Sequence, residues 1–224
     1  PCIVDTENGT VYDAVNIESW QKVELKSALE QHYRLPVYIN NDVNCFTAGE
    51  HVIGAGQGYD DLIGLCLGTG FGVGFVLNNQ LHAGNNCSAG ELGSLRYLNS
   101  TIDDYCSGHF FKEHYQLDGA ALAELARAGD AKAQQAFSDL GKHLANAITT
   151  LLLVVDPQLI VIGGSVAKSF DLFIDALWQE LKTFPYQRVI ERLNIVQSTN
   201  ANSALIGAAE LYLKSEQEQI AKAS

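Results

Sequence analysis

The sequence predicts an α/β fold, a mixed β-sheet with helices packed on its faces. Two observations point to it. From Asp61 onward the chain reads as three strands in succession and then alternates as α-β-α-β-α, a meander followed by crossovers, which is the order of a sheet with both antiparallel and parallel neighbours. The second is "LGTGFGVGFVL", residues 67–77, where glycine stands at 68, 70, 72 and 74. Side chains of a strand alternate between faces, so this spacing strips one face and leaves backbone there. A bare face serves either close packing or the approach of a ligand to backbone N–H groups.

The elements follow in order. Asp5 to Gly9 carries turn chemistry and precedes a short extended piece. Residues 18–33, "ESWQKVELKSALEQHY", place Trp20, Val23, Leu25 and Leu29 at helical spacing. "LPVYIN", 35–40, reads as a strand opened by proline, and 42–54 as a helix closed by Gly54. Residues 61–68 and 71–77 are strands, with Asn78 and Asn79 forming a tight turn into "QLHAG". Residues 85–108 read as irregular, and "FFKEHY" beyond them looks helical. "GAALAELARAG" and the long "DAKAQQAFSDLGKHLANAITTLLLVVD" are helices, the second more apolar toward its end and therefore buried there. A strand "QLIVIGG", a helix "SFDLFIDALWQELK", a strand "NIVQS" and a helix "SALIGAAELYLK" complete the series.

Composition narrows the function. The chain has 224 residues, 47% of them hydrophobic, enough to bury a substantial core. Fourteen Lys and Arg face 26 Asp and Glu, a net charge of −12, which opposes non-specific binding to nucleic acid or anionic membranes. A phosphate site must therefore be built locally. The longest apolar run, "AITTLLLVV" at 147–155, is half the roughly 18 residues needed to span a bilayer. No signal peptide is evident. The five cysteines at 2, 45, 66, 87 and 106 form no CxxC pair and suit free thiols in a reducing cytoplasm.

Four stretches carry candidate chemistry. The hairpin "GTG", Gly68–Thr69–Gly70, is neither a Rossmann fingerprint nor a P-loop, since Val73 stands where a third glycine belongs. Its N–H groups and hydroxyl suit an anion, or its glycines serve only tight strand packing. In "INNDVN", 39–44, Asp42 sits where a strand meets a helix, a place for a general base or for an N-cap. Glu91 is the one acid in the glycine-rich "HAGNNCSAGELG", a loop of functional composition or a surface acid. "QLIVIGGSV" ends a buried strand in Gly163 and Gly164, which suits a flat base against backbone or a plain strand-to-helix turn. Cys106, His109 and His114 lack a fourth ligand for metal.

Taken together and in order, "PCIVDTENGTVYDAVNIESW", "PVYINNDVNCFTAGE", "LCLGTGFGVGFVLNNQLHAGNNCSAGELG", "DDYCSG" and "LIVIGGSV" closely resemble the ROK family of sugar kinases and sugar-responsive repressors over essentially the whole chain. The resemblance implies an actin-like, ribonuclease-H-like fold of two lobes around a cleft, with a partial first lobe at 1–60 and a complete second lobe at 61–224. It implies ATP with Mg2+ as cofactors, a hexose or N-acetylhexosamine as substrate, and a homodimer formed through the second lobe. Asp42 matches the catalytic base and Asn41 a sugar-binding asparagine. Gly68, Thr69 and Gly70 match the second phosphate-binding motif, and Gly163 with Gly164 the turn beside adenosine. Glu91 matches a sugar-hydroxyl acceptor, and Asp103 stands where a second sugar-binding glutamate is usual.

Two departures from the family pattern matter. Ser94 replaces a histidine that touches sugar and serves a zinc module, and "LRYLNSTI" replaces that module's cysteine loop. The strand pair bearing a DxGGT phosphate motif does not precede Pro1, so a piece of a longer chain is expected, with an inactive remnant or the effector half of a repressor as alternatives. With no four-ligand Cys/His set in the sequence, protein purified without chelator is expected to contain no stoichiometric zinc. One zinc per chain by metal analysis would contradict this reading of the loop.

Overall fold

The computed structural model describes residues 2–14 and 17–223. Pro1, Val15 and Asn16, part of the first resembling stretch, lie outside the described residues. The chain opens with a three-stranded antiparallel sheet, β1 (Ile3–Asp5), β2 (Thr10–Tyr12) and β3 (Lys22–Val23). Buried Val4 pairs with buried Val11 across it. The expected turn is present: the Asp5 carboxylate accepts the N–H groups of Glu7 (3.1 Å) and Asn8 (3.0 Å), and Gly9 takes φ +64°.

Two expectations fail beside this sheet. Helix α1 covers only Leu25–Tyr33, not 18–33. Lys22 and Val23 pair with β2 instead, and Asp13 and Ala14 donate to the carbonyls of Gln21 and Trp20, so an available ladder overrides the helical spacing. "LPVYIN" forms no strand. It has no ladder partner among the described residues, and Val37 N–H bonds instead to Glu30 Oε1 at 3.0 Å.

Helix α2 (Asp42–Ile53) is closed by Gly54, as expected. Beyond it lies the main sheet, with strand order β10-β9-β4-β5-β6, built from β4 (Leu62–Leu67), β5 (Phe71–Leu77), β6 (Gln80–Leu81), β9 (Leu159–Gly163) and β10 (Asn194–Gln197). β4, β5 and β6 are antiparallel neighbours, and β9 runs parallel to both β4 and β10. This is the predicted mixed sheet. Asn78 and Asn79 turn β5 into β6 with φ +52° and +63°, as an Asn pair in a two-residue hairpin turn does.

Residues 85–108 are more regular than expected. They hold a 3-10 turn at Leu92–Ser94, a small hairpin of β7 (Arg96–Tyr97) and β8 (Ser100–Thr101), and helix α3 (Ile102–Cys106). Two-residue strands and a five-residue helix are too short for periodicity to reveal. Next come α4 (Gly108–Tyr115), α5 (Gly119–Arg127) and α6 (Ala131–Val154), the last two capped by Asp118 and Asp130. Helix α7 (Phe170–Leu181), the unforeseen α8 (Gln187–Arg192) and α9 (Ser203–Ala223) complete the chain. No helix among the described residues is long and apolar enough to cross a membrane.

The two faces of the main sheet are covered differently. Ile63, Leu65, Leu67, Ile160 and Ile162 pack into a large core with Phe137, Leu144, Ile148, Phe173 and Leu177 of α6 and α7. On the other face Leu62, Val76, Leu159 and Val161 meet Phe46 of α2, and α2 lies along α9. This is the bare face. A methyl group at Gly64 or Gly74, which pair across β4 and β5, would sit 2.2 Å from Thr47 Oγ1, and one at Gly72 would sit 2.6 Å from Val43 Cγ2. Glycine here lets α2 lie almost on the backbone.

Glu50 locks α2 in that position. It is fully buried, and its carboxylate accepts Ser198 Oγ (2.6 Å), Ser203 Oγ (2.5 Å) and Ala55 N–H (3.0 Å), joining α2 to the end of β10 and the start of α9. Glu50→Ala leaves Ser198 Oγ and Ala55 N–H without this acceptor, while Ser203 Oγ keeps Asn200 O at 3.0 Å, and is expected to cost about 2–4 kcal/mol in urea unfolding. A loss under about 0.5 kcal/mol would show that the clamp is dispensable.

All five cysteines are free, and burial pushes every thiol up, Cys45 to about 11 and Cys66 to about 12. A raised thiol pKa lowers the thiolate fraction, so at pH 8 Cys45 and Cys66 carry only about 0.1% and 0.01% thiolate. Native protein is expected to react slowly with a thiol reagent at pH 8 and to release five equivalents only when unfolded in guanidinium. Rapid native release of five would contradict it.

Candidate active site

The N-terminus of α2 settles the two readings of "INNDVN" in part. The cap is Asn41, whose Oδ1 accepts the N–H groups of Val43 (2.8 Å) and Asn44 (3.2 Å). Asp42, the first helical residue, is exposed, and its Oδ1 accepts the neighbouring Val43 N–H at 2.9 Å. The capping role therefore falls to Asn41. Because Val43 rides over Gly72, this helix end is held against β5.

The loop carrying Glu91 closes on the same place. A small cavity of about 20 Å³ is lined by Asn41, Val43, Gly72, Cys87, Gly90 and Glu91. Burial raises the Glu91 carboxyl, and the negative charges of Asp42 and Asp103 add to the rise, so the three acids share one field. The loop and α2 are also joined by the buried Cys87 thiol, which donates to Asn40 Oδ1 (3.2 Å) and accepts from Asn44 Nδ2 (3.4 Å). Asn44 Oδ1 is buried without a partner. Ser94 lies at the far end of the 3-10 turn that Glu91 opens, exposed, with its N–H on Glu91 O at 3.2 Å.

Asp103 is fixed within the protein. Its Oδ1 accepts Phe71 N–H at 2.6 Å, and its Oδ2 lies 3.1 Å from His109 Nδ1, so it buttresses the hairpin next to Gly70. The N–H of Gly68 bonds to Gly70 O (3.0 Å), and Gly68 O accepts Gly108 N–H (2.8 Å). The turn thus uses one of the N–H groups that the sequence offered to an anion. Thr69 stays exposed.

A groove of about 480 Å³ opens beside this turn, within the range of roughly 300–1,000 Å³ usual for cofactor sites. Gly68, Thr69, His109 and Lys112 form one wall, the start of α5 another, and Ser165 with Lys168 a third. Gly163 and Gly164 do not line it. The bare Cα of Gly163 makes room for Phe46, 2.5 Å from a would-be methyl, while Gly164 takes φ +91° against Leu67 O. The two glycines build the turn, and Ser165 is what it presents. Sequence reading missed His109 as a groove residue, and with it Lys112, Ser165 and Lys168; no motif marks them.

Cys106, His109 and His114 do not converge into a metal site. The Cys106 thiol is buried and pushed far up, and His114 packs against Tyr105 and Phe110 at 5.5 and 5.0 Å. Asp103, Asp104 and His109 do offer ligand atoms within 4.8 Å of one another. However, Asp104 Oδ2 already accepts the hydroxyls of Ser100 and Thr101, and both Asp103 oxygens are engaged. The hairpin in place of a cysteine loop is pinned by Tyr97, whose hydroxyl meets His143 Nδ1 at 3.1 Å and whose ring meets Tyr105.

Comparison with known proteins bears on the family and the fold. The ROK family profile matches residues 1–215. A glucokinase from Halalkalibacterium halodurans is 28% identical over 248 aligned residues, spanning 96% of this chain and 75% of that protein. The xylose repressor of Bacillus subtilis is 23% identical over 95% of this chain but 59% of its own length. A ROK family glucokinase from Streptomyces griseus, solved in complex with glucose and AMPPNP, superposes with a TM-score of 0.80 at 27% identity, covering 93% of this chain and 78% of that one. The fold is the actin-like one of ROK sugar kinases, and the chain belongs to the ROK family.

Proposed function

We propose that this chain serves the ATP-dependent phosphorylation of a hydroxyl of a hexose or N-acetylhexosamine. The observation that carries the reading is the exposed Asp42 at the first turn of α2, relieved of capping by Asn41 and near enough to Glu91 for its charge to raise that carboxyl. A carboxylate so placed takes the proton from a sugar hydroxyl as that hydroxyl attacks. Asn41, Glu91 and Ser94 offer hydrogen-bonding groups to the other hydroxyls, and Asp103 positions the hairpin from behind.

The residues present fit ATP. The groove has the volume, Thr69 and Ser165 supply hydroxyls, and Lys112 and Lys168 supply positive charge in a chain of net charge −12. At Gly108 a methyl would come within 3.0 Å of Gly68 O, so backbone alone fits there. Bound in this groove with Mg2+, ATP supplies the phosphoryl group. Catalysis of this transfer rests on positioning and charge stabilisation more than on covalent chemistry. We further read the chain as two lobes meeting near residue 60, with α2 as the element between them, and as a homodimer; zinc has no role in this reading.

A second reading is favoured by the similarity to the Bacillus subtilis xylose repressor: the same cleft binds sugar and reports it without turnover. One substitution separates the two. Because Asn41 is the cap, Asp42→Asn leaves the capping bonds intact and removes only the base. In the full-length protein, sugar affinity and melting temperature are expected to hold while turnover falls roughly 10²–10⁴-fold. Undiminished phosphorylation by Asp42→Asn would overturn the role of Asp42. Sugar binding by both proteins with phosphorylation by neither would favour the regulator.

A further inference from the structure

We propose that His109, as the imidazolium with Nδ1–H donated to Asp103, donates its Nε2–H to the polyphosphate end of the nucleotide and stabilises charge on the transferring phosphoryl group. This inference rests on the kinase reading above. The first support is rigidity: the N–H of Gly108 is bonded to Gly68 O at 2.8 Å, so the first turn of α4 and the hairpin move as one body, and His109 is the next residue along. The second is shared positioning. One carboxylate holds both Phe71 N–H, at 2.6 Å, and His109 Nδ1, at 3.1 Å, which fixes the imidazole relative to the hairpin beside Asp42 and leaves Nε2 as the ring nitrogen available to the groove.

The third support is charge. His109 and Lys112 stand three residues apart on α4, on one helical face, and both line the groove with Thr69. Arg127, also in the groove, is engaged with Asp171 (2.8 Å) and Lys168 O (3.3 Å). The acids there are Asp118, whose Oδ1 caps α5 on Ala121 N–H, and the exposed Glu124. His109 and Lys112 thus bring donor and positive groups to the α4 wall, the helix whose first residue is bonded to Gly68 O. The His109 and Asp103 side chains remain 40% and 30% exposed, and an exposed pair of this kind contributes little to stability. Its placement at the groove mouth is thus better explained by what it faces.

Binding of AMP-PNP and of AMP, measured by calorimetry on the full chain, tests this without requiring turnover. His109→Ala is expected to weaken AMP-PNP about tenfold, the size of one lost hydrogen bond to a charged group, and to leave AMP within about twofold. His109→Gln, which keeps an N–H donor of similar reach, is expected to restore part of the difference. Equal effects on both nucleotides, or an effect on neither, with melting unchanged, would overturn the proposal. If wild-type protein binds AMP-PNP yet phosphorylates no sugar, the kinase reading fails while the nucleotide comparison still decides the contact made by His109. If wild-type protein binds neither nucleotide, both fall.

Discussion

Everything in the site depends on how closely α2 approaches the sheet. Gly64, Gly72 and Gly74 remove the side chains that would hold a helix at the usual distance, and Thr47 and Val43 occupy the space. The contact is reinforced on the far side of α2, where a methyl at Gly49 would lie 1.9 Å from Ser203 O and one at Gly207 1.7 Å from Cys45 O. Helix α2 is thus held between sheet and α9 with backbone-level contact on both sides. Close-packed interiors transmit displacement instead of absorbing it. The position of Asp42 is therefore set by Gly64, Gly72 and Gly74, which lie 22 to 32 residues further along the chain, and any side chain added on that face would move the carboxylate.

The hairpin that forms this bed also ends in the Gly68–Gly70 turn, so one element carries two duties. Its strands seat the helix that brings the acid, and its tip faces the groove. Asp103 and the Gly68–Gly108 bond tie that tip to α3 and α4, so the groove wall is referenced to the same hairpin as Asp42. Two parts of a site that share a rigid reference keep their separation without a dedicated contact between them. The Cys87 thiol does the same for Glu91, linking its loop to Asn40 and Asn44 near the start of α2. Cys87 keeps φ +52° there, a conformation that disfavours a non-glycine residue, which its buried hydrogen bonds help to offset.

Much of this was legible in the sequence. The order of strands and helices after Asp61 gave the mixed sheet, because long periodic elements announce themselves. The alternating glycines announced a bare face, and the two uses weighed for it prove to divide along the chain: Gly72 and Gly74 serve packing, while Gly68 and Gly70 shape the turn. What stayed hidden was tertiary. Nothing local in "ESWQKVELK" says that Lys22 and Val23 will find β2. Nothing in "INNDVN" says which of Asn41 and Asp42 will cap, since both residue types cap well. Gly163 and Gly164 drew attention as glycines, yet the groove is met by Ser165, and their own role is to clear Phe46 and Leu67. Groove residues such as His109, Lys112 and Lys168 come from separate helices and turns, and no linear spacing relates them.

The capping assignment bears on whether the site catalyses or only binds. A helix start that needs a single cap is fully served by Asn41, and a site that only binds sugar gains little from a second acid at the next position. Asp42 is exposed, accepts the adjacent Val43 N–H, and stands in the field of Glu91. Its charge lies at the positive end of the α2 dipole, which favours a negative group there by a few tenths to about 1 kcal/mol, but Asn41 alone already completes the turn. On the kinase reading proposed above, the exposed acid beside a second, raised carboxyl is the group that accepts the hydroxyl proton, whichever sugar the cleft admits.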